Sequence, residues 1–198
     1  MTGFILASGS TTRVRLLTAA GIAFDAVSPH VDEDAVKDSL LAERAPPRDI
    51  ADALAALKAS KVSNAHPDAF VIGADLVLVF QGELISKCAD RESARRLLRR
   101  LGGHTHELIA AVVVAKDGSV VWRHVARAEL TVRKLSDEFL DAYLDAEGDE
   151  ILSSVGCYHL ERRGIQLFSN IIGDYFTVLG LPMVPLLNAL HELRAIPQ

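Results

Sequence analysis

An aspartate stands inside the most apolar run of the chain, and few features constrain a fold more tightly. Phe70 to Phe80 reads Phe-Val-Ile-Gly-Ala-Asp-Leu-Val-Leu-Val-Phe. A continuous apolar run of this length, rich in valine, predicts a buried central strand rather than a half-exposed one. An unpaired carboxylate there would cost on the order of several kcal/mol even after relaxation. Asp75 must therefore meet a cation, a metal or hydrogen-bond donors, or mark a strand end at a cleft. A structural salt bridge would satisfy that demand as well as a functional site would, and the site reading is favoured.

Around this strand the pattern alternates. Phe4-Ile5-Leu6-Ala7 predicts a short buried strand, Ser8-Gly9-Ser10 a turn, and Ser10 the N-cap of a helix through Ala20 stopped by Gly21. A second strand is expected around Phe24 to Ser28. The acidic stretch Asp32-Glu33-Asp34 follows, and Pro46-Pro47 breaks the chain before an Ala- and Leu-rich helix from about Asp49 to Ser63. After the central strand, Gln81-Gly82 turns the chain into Leu84-Ile85 as a hairpin. Asp90 caps a helix whose Ala94, Leu97, Leu98 and Leu101 recur at helical spacing. Leu108 to Ala115 and Val120 to Val125 predict strand, turn and strand, with Glu129 to Val132 a further strand. Ser136 caps the next helix. Short strands are expected at Gln166 to Ile171 and Phe176 to Val178, and Pro185 opens a last amphipathic helix. The class is α/β with a mixed sheet.

Composition sets the outer bounds. The 198 residues carry 21 Lys+Arg against 26 Asp+Glu, a formal charge of −5, with 49% apolar and 24% charged residues. These are globular proportions, fitting one domain, or one domain with two lobes. The acidic balance argues against a nucleic-acid binder, which carries a basic footprint. No run of about 18 apolar residues supports a membrane span, and Met1 to Ala7 lacks the basic start of a signal peptide. Cys88 and Cys157 form no Cys-x-x-Cys pair, so both are read as reduced thiols of a cytoplasmic protein.

Several residues could carry chemistry. Ser8-Gly9-Ser10-Thr11-Thr12-Arg13 places hydroxyls and an arginine at a strand-to-helix turn, where unpaired N–H groups suit phosphate. It is neither a Walker loop nor a Rossmann turn, and an ordinary capped helix is the simpler reading. Asp32-Glu33-Asp34 is either a solvated turn or a source of a Mg²⁺ ligand, since that ion is typically held by one or two carboxylates plus substrate phosphates. Lys58 and Lys87 stand in informative places, although each alone is more often a surface lysine. Arg91, Arg95, Arg96, Arg99 and Arg100 lie opposite an apolar stripe and read as a solvated face. His104-x-His106 would set two imidazoles on one strand face, without further partners at zinc spacing.

Taken together in order, these segments resemble the Maf family of nucleoside triphosphate pyrophosphatases over nearly the whole chain. The matches are Leu6-Ala7-Ser8-Gly9-Ser10 with Arg13, Val31-Asp32-Glu33, Leu54-Ala55 with Lys58-Ala59, and Ile72-Gly73-Ala74-Asp75. Gly82-Glu83 with Lys87, Gly103-x-Thr105-His106, Gly173-Asp174-Tyr175-Phe176 and Gly180-Leu181-Pro182 complete them. The resemblance implies an elongated mixed sheet flanked by helices, with two lobes about a central cleft, as in inosine triphosphatases. It implies Mg²⁺ or Mn²⁺ dependence, and hydrolysis of a nucleotide to its monophosphate and pyrophosphate. By position, Asp75 resembles the catalytic acid/base and a metal ligand, and Glu33 the second metal carboxylate. Arg13, Lys58 and Lys87 resemble the cations that hold the triphosphate, with Ser8 and Ser10 lining the same loop. Family members often form dimers, and a nucleotide is the implied partner.

The departures bear on the base. Thr11-Thr12 replaces the usual Pro-Arg, and Ser86 and Cys88 replace the Gly and Pro that flank Lys87. Thr12, Leu76 and Glu161 resemble the specificity determinants. Together they match neither the thymidine/uridine type nor the 7-methyl-GTP type, although the Glu161 context leans to the latter. Rival readings are a pyrophosphatase for inosine or xanthosine triphosphate, and a non-catalytic nucleotide-binding regulator of septum formation.

Overall fold

Short apolar runs alternating with capped helices build a seven-stranded sheet in the order β2-β1-β3-β5-β6-β7, with β4 paired to β3. The computed structural model describes residues 3–196. The strands are β1 (Phe4–Ala7), β2 (Asp25–Ala26), β3 (Phe70–Phe80), β4 (Glu83–Ile85), β5 (Thr105–Lys116), β6 (Ser119–Val132) and β7 (Phe168–Ile172). The helices are α1 (Thr11–Ala19), α2 (Glu33–Ala42), α3 (Pro47–Ala65), α4 (Arg91–Leu101), α5 (Asp137–Glu147), α6 (Tyr175–Val178) and α7 (Met183–Glu192). The sheet is mixed: β1 runs parallel to β2 and β3, whereas β3/β4 and β6/β7 are antiparallel. No helix among the described residues is long and apolar enough to cross a membrane.

The chain divides into two compact units. The first comprises residues up to Leu76, Ile109–Ala126 and the stretch from Tyr175 onward; the second comprises Val77–Leu108 and Arg127–Asp174. β3, β5 and β6 each pass from one unit into the other. In the first unit Leu6, Leu17, Ile50, Leu54 and Ile72 are almost wholly buried. In the second, α4 buries Ala94, Leu97, Leu98 and Leu101, the stripe its spacing predicts. Its arginine face is exposed but not merely solvated. Arg95 Nε meets Asp141 at 2.8 Å, Arg91 pairs with Asp145, and Arg99 pairs with Asp137, a ladder of ions onto α5.

Four expectations need correction. Phe176 to Val178 is not a strand but part of α6. Gly180 N–H donates to Thr177 O and Leu181 N–H to Phe176 O, both at 3.0 Å, the paired bonds that close a helix end. Glu129 to Val132 is no separate strand; it continues β6 and pairs with β7. Residues 33–42, for which no element is expected above, form α2, because Asp32 caps it by accepting from Ala35 N–H at 3.0 Å. His104 lies ahead of β5, so it shares no strand face with His106. His106 itself is buried, its Nε2 2.7 Å from the Tyr158 hydroxyl and its ring beside Phe168. Burial pushes its pKa down to about 4, so it stays neutral at pH 7.

Candidate active site

The pairing of β1 with β3 sets the first half of the site. Ala7 is level with Gly73, so β1 ends while its parallel neighbour runs on to Asp75. The Ser8–Ser10 turn leaves the sheet beside the carboxylate, at the carboxyl end of parallel strands, where α/β sheets place their ligands. Ser10 caps α1, its hydroxyl accepting from Arg13 N–H at 3.4 Å. Ser8 is buried, and its hydroxyl accepts from Ser10 N–H at 3.2 Å and from Arg13 Nη1 at 3.3 Å. Arg13 Nε donates to the Gly180 carbonyl at 3.0 Å. Two of its donor nitrogens are thereby fixed to the protein, which aims a planar cation.

The second half comes from α2 and α3. Pro47 opens α3 at its first position, where a missing N–H costs nothing. Alanines 55 and 59 lie against β3, and Gly73 makes that approach possible. A Cβ there would sit 2.4 Å from Ala55 O and 2.8 Å from both Ala59 N and Ala59 Cβ. Lys58 lies on this same closely packed turn. Its ammonium is buried and donates to Asp75 Oδ1 at 2.7 Å and to Glu33 Oε2 at 2.8 Å. Glu33 is the first residue of α2, and Lys61 of α3 donates to the His30 carbonyl in the loop that leads into it.

The buried aspartate thus meets a cation, as its place in an apolar strand requires. Two carboxylates against one ammonium leave a negative excess, and Arg13 interacts electrostatically with both. Burial lowers the Arg13 pKa, while Asp75 and then Glu33 pull it back up. The guanidinium remains a cation, as arginine does in proteins. Glu33 and Asp75 share one ammonium, so their oxygens stand no farther apart than the sum of those two bonds. Mg²⁺ is typically held by one or two carboxylates plus substrate phosphates, so Glu33 and Asp75 are the residues here that could contribute to holding such an ion. Among the described residues there is no group of three or more His, Cys, Asp or Glu that could hold a metal ion.

The structure therefore gathers Ser8, Ser10, Arg13, Glu33, Lys58 and Asp75 in the first unit, with Thr12 on α1 and Leu76 next to Asp75. Lys87, in the loop after β4, and Glu161, in a turn before β7, belong to the second unit. Sequence reasoning missed two participants, the Gly73 contact with α3 and the Gly180 carbonyl. Both glycines sit in matched motifs, which was the available signal, but neither announces a role.

A family model described as "Maf-like protein" matches residues 3–193. A nucleoside triphosphate pyrophosphatase of Caulobacter vibrioides is 55% identical over 191 residues, covering 96% of each chain. Another, from Ruegeria pomeroyi, is 50% identical and covers 97% of this chain and 96% of its own. A 7-methyl-GTP pyrophosphatase of Rhizobium meliloti is 48% identical with the same coverage, 97% and 96%. With a buried carboxylate, two cations and a serine turn at the positions the motifs specify, the chain belongs to the Maf family.

Proposed function

We propose that this protein is a metal-dependent nucleoside triphosphate pyrophosphatase, and that a modified purine nucleotide of the 7-methyl-GTP kind is its substrate. The observation that carries the reading is the Lys58 ammonium held between Asp75 and Glu33, with Arg13 in electrostatic reach of both. Acid and cation are thereby set together, which supports binding of a triphosphate with its counter-ion. The names of the relatives agree with the reaction, and Glu161 together with the Rhizobium relative favours the base.

In this mechanism water attacks the α-phosphorus, the bond from that phosphorus to the bridging oxygen breaks, and pyrophosphate leaves. Asp75 accepts the proton of the attacking water. Asp75 and Glu33, with the phosphates, would hold a divalent ion, which when bound would supply charge neutralisation and a lower pKa for water. Arg13, with two nitrogens anchored, presents its remaining donors to phosphate oxygens as charge develops, where preorganised electrostatics do most in phosphoryl transfer. Lys58, on a flexible four-carbon stem, turns from the carboxylates to the phosphates. Ser8 and Ser10 fix the turn. Lys87 is assigned to the phosphates, and Thr12, Leu76 and Glu161 to the base, by resemblance.

The test is pyrophosphate release from 7-methyl-GTP, GTP, dTTP, UTP and inosine triphosphate, each with Mg²⁺, with Mn²⁺ and with a chelator. Preferred turnover of 7-methyl-GTP that stops with the chelator is expected. Preference for dTTP or UTP rejects the base assignment, undiminished turnover in chelator rejects the metal, and no release from any nucleotide rejects the activity.

A further inference from the structure

We infer that Gly180 is a positioning residue for the Arg13 guanidinium, so that the segment after α6 sets the phosphate-binding cation and the Leu76 side chain from one turn. The inference rests on the pyrophosphatase reading above. Three observations meet at this glycine.

First, its carbonyl accepts from Arg13 Nε at 3.0 Å, a contact between residues 167 apart in the chain. The other anchored nitrogen, Nη1, reaches Ser8 at 3.3 Å, so the plane of the guanidinium is set by one bond from the serine turn and one from Gly180. Second, Gly180 has φ +81°, as the residue that closes α6 in a left-handed conformation. That conformation points its carbonyl at α1, and glycine adopts it without the steric penalty of a side chain. Third, the space normally filled by a Cβ is occupied. A methyl there would lie 3.2 and 3.3 Å from Leu76 Cδ2 and Cβ, and 3.4 Å from Arg13 Nη2. The two Leu76 gaps are tighter than ordinary contact, roughly 3.5–4.0 Å between carbons, whereas the distance to Nη2 is ordinary contact.

The crowded atoms belong to the Leu76 side chain rather than to backbone, so the chain accommodates a methyl by moving the site rather than by unfolding. Leu76 gives way to the methyl, and the guanidinium follows the Gly180 carbonyl as the left-handed backbone shifts under a side chain. Misplacement by about 1 Å costs about 10²-fold in rate, so a displacement of about 0.3 Å lowers kcat/KM by roughly fourfold. Gly180 touches no reacting atom: it acts on the phosphates through Arg13 and on the base through Leu76.

The experiment compares pyrophosphate release by the parent with that of Gly180→Ala, Gly180→Asn, Arg13→Lys, Gly180→Ala/Arg13→Lys and Gly21→Ala. Asparagine tolerates the left-handed conformation, so it adds the same Cβ at less backbone cost and keeps the test alive if the alanine variant folds poorly. Lysine keeps the charge at position 13 but cannot donate from Nε to the Gly180 carbonyl. Gly21 has φ +74° with nothing within 4 Å of a Cβ, so it carries the backbone penalty alone. Both Gly180 variants are expected to lose roughly fourfold in kcat/KM, Gly21→Ala to match the parent, and Gly180→Ala to cost less beside Arg13→Lys than it does alone. A Gly180 variant that matches Gly21→Ala, or whose loss persists in full beside Arg13→Lys, overturns the inference while the parent remains active. A parent with no pyrophosphate release on any nucleotide overturns the functional reading instead, and this inference with it.

Discussion

Gly73→Ala is the substitution from which the packing argument has most to lose. The added methyl would fall 2.4 Å from the Ala55 carbonyl oxygen and 2.8 Å from Ala59 N and Cβ, about 1 Å inside ordinary contact. All three atoms belong to the backbone or to a Cβ, so no rotamer change relieves them and α3 must retreat from β3. Overpacking of this kind costs about 1–3 kcal/mol, and rigid neighbours place it at the upper end, about 3 kcal/mol. For a chain of this size each kcal/mol moves Tm by about 2–4 °C, so the melting temperature should fall by about 6–12 °C. Lys58 moves with α3 away from Asp75, and an ångström at that pair costs about 10²-fold in turnover. Thermal melts read the first quantity and pyrophosphate release the second. Gly3→Ala, where a Cβ meets nothing within 4 Å, serves as the control. A Gly73→Ala protein that melts with the parent and turns over at a parental rate refutes the argument that this glycine sets the Lys58–Asp75 distance.

Asp75→Asn should keep the fold and lose about 10²–10⁴-fold in kcat, the range of general acid–base catalysis; near-parental turnover of the folded variant removes Asp75 from the chemistry. Lys58→Met strands the buried Asp75 carboxylate, and breaking a buried pair costs about 3–5 kcal/mol. Its Tm should fall accordingly, Lys58→Met/Asp75→Leu should recover much of the loss, and an unchanged Tm for the single variant contradicts the bridge. His106 supplies a pH test. Burial holds its folded pKa near 4 against an unfolded value of about 6.5, so between those values the unfolded chain binds the extra proton. Stability is then complete above about pH 6.5 and declines as pH falls toward 4. At about 1.4 kcal/mol per unit the loss is at most about 3–4 kcal/mol. Melting curves of His106→Gln from pH 4 to 7 should be flatter than the parent's, and parallel curves would exclude the histidine.

Much of this was legible from residues alone. Asp75 inside Phe70–Phe80 forced a partner, and the structure supplies Lys58. The α4 stripe and the Ser10, Asp90 and Ser136 caps were readable because periodicity and capping are local. α2 was not, because it buries no residue and therefore carries no apolar stripe; its cap and Glu33 hold their place without one. Phe176-Thr177-Val178 read as a strand on β-propensity, which the helix-closing bonds at Gly180 and Leu181 override. Likewise Glu33, Lys58 and Asp75 were assigned by resemblance, but that one ammonium bridges both acids depends on α3 lying against Gly73. The Gly180 carbonyl reaches Arg13 across almost the whole chain, and no local pattern encodes such a contact.

The two compact units also carry a consequence for the order in which the molecule can form. The first is assembled from three separate stretches of chain and the second from two, so neither is completed by a contiguous segment. An emerging chain holds β1, α1, α3 and β3 early, yet Gly180 and α7, which belong to that same unit, come last. Loop closure over such separations must precede the contacts that reward it, which slows folding relative to a chain of local contacts. Until its final stretch is available, the N-terminal portion has Arg13 without one of its two anchors. The phosphate cation is therefore among the last elements of the site to acquire its orientation.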